Sequence, residues 1–161
     1  MNVANRIQFF NLTNNKLLTI HVYGLRLWNV DLKAKKILYT DIQMGTLKRI
    51  YNCVCIDPTD QRALLGTHTG DIVEISLDHL LFKRIGPAKR LFSKGINTIR
   101  LLQNNDIMVG AGDGTIAKVT GQFMTVKQEA KVMGGVTSIS LTADNTHLFA
   151  GTNKATIYWC N

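Results

Sequence analysis

Four stretches of this chain repeat one another, and that repetition limits its fold more than any other feature. Residues 5–30, 50–76, 95–119 and 135–160 each run from an alternating apolar stretch through a polar turn to a short apolar stretch, then through a second turn to another. In three copies a glycine precedes an isoleucine by six positions: Gly66 and Ile72, Gly110 and Ile116, Gly151 and Ile157. In the first copy Leu25 takes the isoleucine place and Thr19 the glycine place. The anchors at 25, 72, 116 and 157 lie 47, 44 and 41 residues apart.

Within each copy the periodicity is that of strands. Ile96, Thr98 or Ile99, and Leu101 to Leu102 mark one strand, and Val136, Ile139 and Leu141 its counterpart in the next copy. The turns Asp57-Pro58-Thr59-Asp60, Gln103-Asn104-Asn105-Asp106 and Thr142-Ala143-Asp144-Asn145 are rich in Asp and Asn, which tolerate left-handed backbone and bond to it. Asp113-Gly114 suits a tight hairpin. The more polar stretches 33–44, 80–92 and 123–131 read as fourth, outer strands. No segment carries a sustained helical stripe with caps. The acids are 9 Asp and only 2 Glu, a balance that favours turns over helices. The expected fold is therefore all-β, a stack of four-stranded blades spanning 1–44, 45–92, 93–131 and 132–161. The spacing lies near the roughly 40–45-residue period of a propeller blade. Such sheets bury their faces against one another.

The repeats resemble WD repeats. Leu25-Arg26-Leu27-Trp28-Asn29 is similar to the strand that ends in Trp-Asp, with Asn29 in the Asp place, and Gly112-Asp113-Gly114-Thr115-Ile116 to the turn and strand before it. The sequence departs from the family elsewhere. No Gly-His pair opens a copy, and Ile75, Val119 and Cys160 stand where the tryptophan would. The family's Trp, Ser/Thr, His and Asp network is thus not rebuilt in full, and the blades should depend more on apolar packing. Within the family, the ordered words Gly45 to Ile50, Leu65 to Ile72, Gly86 to Lys89, Val109 to Gly114 and Gly134 to Leu141 are similar to axonemal members with two propellers. That resemblance implies a WD40-type β-propeller and a non-enzymatic structural protein of the ciliary or flagellar axoneme. It also implies tubulin, the doublet microtubule and other axonemal proteins as partners, and no cofactor. The alternative is a general cytoplasmic WD40 adaptor for protein partners.

Charge is compatible with such a partner. Lys plus Arg is 19 against 11 acids, a net charge of +8. Ten of the basic residues fall in two groups near the predicted outer strands and inter-blade links: Lys33, Lys35, Lys36, Lys48 and Arg49, then Lys83, Arg84, Lys89, Arg90 and Lys94. A solvated rim that discourages edge pairing is the plain reading, and contact with an acidic protein surface is the functional one. Nucleic acid is not the expected partner, because aromatics among these residues are sparse: Tyr39, Phe82 and Phe92. No apolar run reaches the roughly 18 residues of a membrane span. Met1 to Asn15 carries no apolar signal segment, so a soluble intracellular chain is expected.

Other candidate sites reduce to structure. Gly110-Ala111-Gly112-Asp113-Gly114 runs into a further strand, whereas a dinucleotide loop must open a helix. Cys53, Cys55 and Cys160 read as small buried hydrophobes without metal-ligand spacing, and His21, His68, His79 and His147 are scattered. Trp28 and Trp159 are expected in core or inter-blade packing. Nucleophile-elbow, zinc-protease and Walker motifs are absent. A dispersed loop site at His68, Asp71 and Asp113 is the remaining enzymatic arrangement, and it is not expected. No catalytic or metal residue is assigned. With closed rings using about 4–8 blades, 161 residues read as an incomplete propeller of about three and three-quarter blades, whose missing blades belong to a longer parent.

Overall fold

The turn residues of each repeat set the fold. A computed structural model describes residues 4–22 and 24–160. The first sheet is β1 (Ala4–Phe9), β2 (Lys16–His21), β3 (Gly24–Asp31) and β4 (Lys36–Asp41). The second is β5 (Tyr51–Ile56), β6 (Arg62–Thr67), β7 (Ile72–Ser76) and β8 (Leu81–Gly86). The third is β9 (Ile96–Leu101), β10 (Ile107–Ala111), β11 (Thr115–Thr120) and β12 (Thr125–Lys131). The last has three strands, β13 (Val136–Leu141), β14 (Leu148–Thr152) and β15 (Ile157–Cys160). Every sheet is an antiparallel meander in chain order, and no helix occurs among the described residues. The turns recur with the repeat. Asp60, Asn105 and Asn145 adopt positive φ in the first hairpin of their sheets, and Gly70 and Gly114 do so in the second.

The sheets stack face to face. Leu18, Ile20 and Leu25 of the first pack with Ala63, Leu65, Val73 and Ile75 of the second. Leu64 and Ile72 pack with Val109, Ala117 and Val119 of the third. Ile116 packs with Val136, Ile139, Leu148 and Ala150 of the last. The first strands β1, β5, β9 and β13 neighbour one another, so they form the inner side of an open arc. This is an all-β WD40-type propeller with an unclosed set of blades.

The pairing changes one register. Gly66 pairs with Ile72, Gly110 with Ile116 and Gly151 with Ile157, whereas Leu25 pairs with Ile20, not Thr19. The first blade has a hairpin one residue shorter, and Ile20 holds the glycine place. That place needs glycine where the next inner strand comes close. A Cβ on Gly66 would lie 2.5 Å from Ile96 Cγ2, and one on Gly110 2.5 Å from Val136 Cγ1.

The outward faces of the first and last sheets are apolar. Ile7, Phe9 and Tyr39 are exposed on one, and Phe149, Ile157 and Trp159 on the other. Trp159 is 64% exposed and stacks on His147, with ring centroids 5.4 Å apart. The expectation of packing therefore fails for Trp159, because no sheet covers its face among the described residues.

Candidate functional site

Side-chain hydrogen bonds first fix how the blades sit against one another. Each inner strand carries a bulge, at Asn5, Asn52, Asn97 and Thr137. Asn52 Nδ2 donates to the Ile96 carbonyl at 3.1 Å, and Asn97 Nδ2 to the Val136 carbonyl at 2.9 Å. Further out, the Asp60 carboxylate accepts the backbone amides of Asn11 and Leu12 at 2.8 and 2.7 Å. Arg62 Nη2 donates to Asn105 Oδ1 at 2.8 Å. These blade-to-blade bonds were not singled out by composition or motif. The signal for the first set was present: asparagine recurs at 5, 52 and 97, at one repeat spacing.

The first blade rebuilds part of the tryptophan network. Trp28 Nε1 donates to Thr19 Oγ1 at 2.8 Å, and Thr19 Oγ1 lies 3.0 Å from His21 Nε2. The histidine comes from the same strand as the threonine. Tyr39 flanks Trp28 at 5.1 Å between ring centroids, and the Arg26 guanidinium sits 4.4 Å above the Tyr39 ring. Arg26 also pairs with Asp41 at 2.8 Å.

The ten basic residues divide by what holds them. Lys33, Lys35 and Lys36 project from the β3–β4 turn and the start of β4, all exposed. Lys48, Lys89 and Lys94 lie exposed on the inter-blade links. The other four are engaged. Arg49 Nε donates to Asp71 Oδ2 at 2.9 Å. Lys83 and Arg84 converge on Glu74, at 3.2 Å from its Oε1 and 2.5 Å from its Oε2 respectively. Arg90 pairs with Glu129 across the gap between the second and third blades. Glu74 has no solvent exposure, so Lys83 and Arg84 are first of all its counter-ions. The Arg84 guanidinium also reaches the Gln122 carbonyl of the third blade. The basic set is thus six exposed lysines without an ion-pair partner among the described residues, and four engaged groups, of which Arg84 and Arg90 reach the third blade. Lys127, on the third blade's outer strand, is exposed as well and lay outside the two sequence clusters.

The loop residues His68, Asp71 and Asp113 are not gathered into one constellation. Asp71 is buried and accepts from Thr67 Oγ1 and Arg49. Asp113 accepts from Lys131 Nζ at 2.6 Å and from the Thr115 amide at 3.0 Å. Partial burial opposes its ionisation, but those hydrogen bonds outweigh it and hold its carboxyl below the ordinary range. No group of three or more His, Cys, Asp or Glu side chains suited to a metal occurs among the described residues. Burial pushes the Cys53 thiol up to about 12 and raises that of Cys55, so neither is an activated nucleophile. The arrangement offers surface charge, exposed outer edges and a cross-bonded framework, which is the equipment of a binding module.

Comparison with known proteins agrees with that fold. No family model matches the chain. It is 36% identical over 160 residues to cilia- and flagella-associated protein 52 of Chlamydomonas reinhardtii, a match covering 98% of this chain and 26% of that protein. The human protein of the same name is 32% identical over 160 residues, again 98% of this chain and 26% of the relative. The mouse protein is 31% identical over 163 residues, covering all of this chain and 26% of the relative. The chain thus spans about a quarter of the length of the curated relatives it matches. Among solved structures, the WD40 β-propeller domain of Doa1 superposes with a TM-score of 0.78 over 97% of this chain and 50% of that one, at 16% identity.

Proposed function

Because the chain is a WD40-type propeller segment related along nearly its whole length to cilia- and flagella-associated protein 52, we propose that it acts as a non-enzymatic structural component of the ciliary or flagellar axoneme. The single observation that carries this reading is the 36% identity sustained over 160 residues with the algal relative, continued in human and mouse. The physical properties of the surface support it. Asp71 and Asp113 are each engaged by structural partners, and the conspicuous exposed groups are lysines on the rim and links.

The mechanism proposed is electrostatic docking. Exposed lysines at 33, 35, 36, 48, 89 and 94 attract the acidic surface of tubulin in the doublet microtubule, and neighbouring axonemal proteins complete the contact. The blade framework holds these groups in fixed relation. The test is retention of tagged protein in axonemes of a ciliated cell after detergent extraction. This reading predicts that the tag stays with the axonemal fraction. Quantitative release with the soluble cytosol contradicts it and favours a cytoplasmic adaptor.

A further inference from the structure

One sheet-to-sheet interface is made three times inside this chain, from matching rows of residues. The face each sheet turns to its successor carries Leu18 and Leu25 in the first, Leu64 and Ile72 in the second, and Met108 and Ile116 in the third. The face that receives them carries Val54 and Ile56 in the second sheet, Ile99 and Leu101 in the third, and Ile139 and Leu141 in the last.

Both rows recur once more at the two ends of the stack, where no sheet covers them among the described residues. Phe149 and Ile157 hold the Met108 and Ile116 places on the last sheet. Phe149 is 43% exposed and Ile157 76%, whereas Leu25, Ile72 and Ile116 are buried. Ile7 and Phe9 hold the Val54 and Ile56 places on the first sheet. They are 64% and 55% exposed, whereas Ile56, Ile99 and Ile139 are buried. The glycines agree. A Cβ on Gly66 or Gly110 would strike Ile96 or Val136 of the next sheet, but one on Gly151 would meet only Thr137 and Ser138 of its own.

The chain thus carries both halves of one interface, at opposite ends of an arc. That arc matches half of a WD40 β-propeller domain, which holds its first and last sheets apart. A second copy presents the complementary half at each end. Two copies of four sheets each lie within the roughly 4–8 blades of a closed ring. Arg26, on the first face, already pairs with Asp41 and so enters such a junction neutralised.

We propose that two copies of this chain join head to tail into a closed ring, the outward face of each last sheet packing on the outward face of the other copy's first sheet. Both junctions are heterologous, and a two-fold axis through the ring relates them. The inference goes beyond the axonemal reading and does not rest on it.

Size-exclusion chromatography with light scattering on the whole chain, at rising concentration, tests it. A mass twice that of one chain is expected. Phe9→Asp and Ile157→Asp should each give the single-chain mass, because each spoils one face of both junctions. Mixing the two variants leaves one junction with two intact faces, so part of the double mass should return, and that return also shows that both variants fold. Leu32→Asp, on the exposed β3–β4 turn outside both faces, should keep the double mass. A single-chain mass at every concentration overturns the proposal and leaves the two faces to further blades of a longer chain. A mass above two copies, a double mass that survives Phe9→Asp or Ile157→Asp, or one lost equally in Leu32→Asp overturns it too. So does a mixture that stays single although both variants keep the parent's circular dichroism spectrum.

Discussion

Asn52 and Asn97 occupy the same bulge of successive inner strands, and each donates its side-chain amide to the residue just before the next blade's bulge. The acceptors are the carbonyls of Ile96, at 3.1 Å, and Val136, at 2.9 Å. The bulge turns a residue that would lie in the sheet toward the neighbouring sheet. Asn97→Ala leaves the Val136 carbonyl without that donor and should cost about 1–2 kcal/mol in urea unfolding. Asn104→Ala, which loses only two local, exposed bonds with Asp106, serves as the control and should cost less.

Glycines at the blade interfaces are predicted to be irreplaceable for a steric reason. Gly66→Ala puts a methyl 2.5 Å from Ile96 Cγ2, so one sheet must retreat from the next. The expected loss is about 1–3 kcal/mol. Gly24→Ala, which meets nothing within 4 Å, should melt like the parent chain.

Glu74 is a fully buried anion between Lys83 and Arg84. Arg84→Ala removes the hydrogen-bonded guanidinium and leaves Glu74 with Lys83 at 3.2 Å and Arg62 at 3.8 Å, and should cost about 1–3 kcal/mol by chemical denaturation. Glu74→Gln removes the charge along with the need for counter-ions, so adding it to Arg84→Ala should restore part of the loss.

Cys53 links stability to pH. Burial raises its thiol from 9.0 in the unfolded chain to about 12 in the folded one. Below about pH 9 both states hold the proton, and this contribution is fully present. Between about pH 9 and about 12 only the unfolded chain ionises, so it is lost as pH rises. Cys53→Ala should flatten the alkaline side of the stability profile. At pH 8 Cys53 should resist iodoacetamide until urea unfolds the chain, as mass spectrometry of labelled peptides would show.

The strands were legible because glycine, aspartate and asparagine mark each hairpin and apolar alternation marks each ladder. The first blade was harder. Thr19 and Ile20 both fit a strand, and only the pairing of Ile20 with Leu25 reveals the shorter hairpin. Trp159 follows the expected strand pattern, yet its burial depends on a neighbouring sheet that local sequence cannot supply. The basic clusters were visible as charge, but their counter-ions were not. Asp71 lies 22 residues from Arg49 and Glu74 lies 10 from Arg84, distances closed only by the fold.

Sedimentation with purified doublet microtubules over a salt series tests the central claim most directly. The folded chain should pellet with doublets at low salt and leave them as salt rises. Charge reversal at Lys33, Lys35, Lys36, Lys89 and Lys94 should abolish pelleting without changing the circular dichroism spectrum. A folded parent chain that stays in the supernatant at low salt would contradict the account.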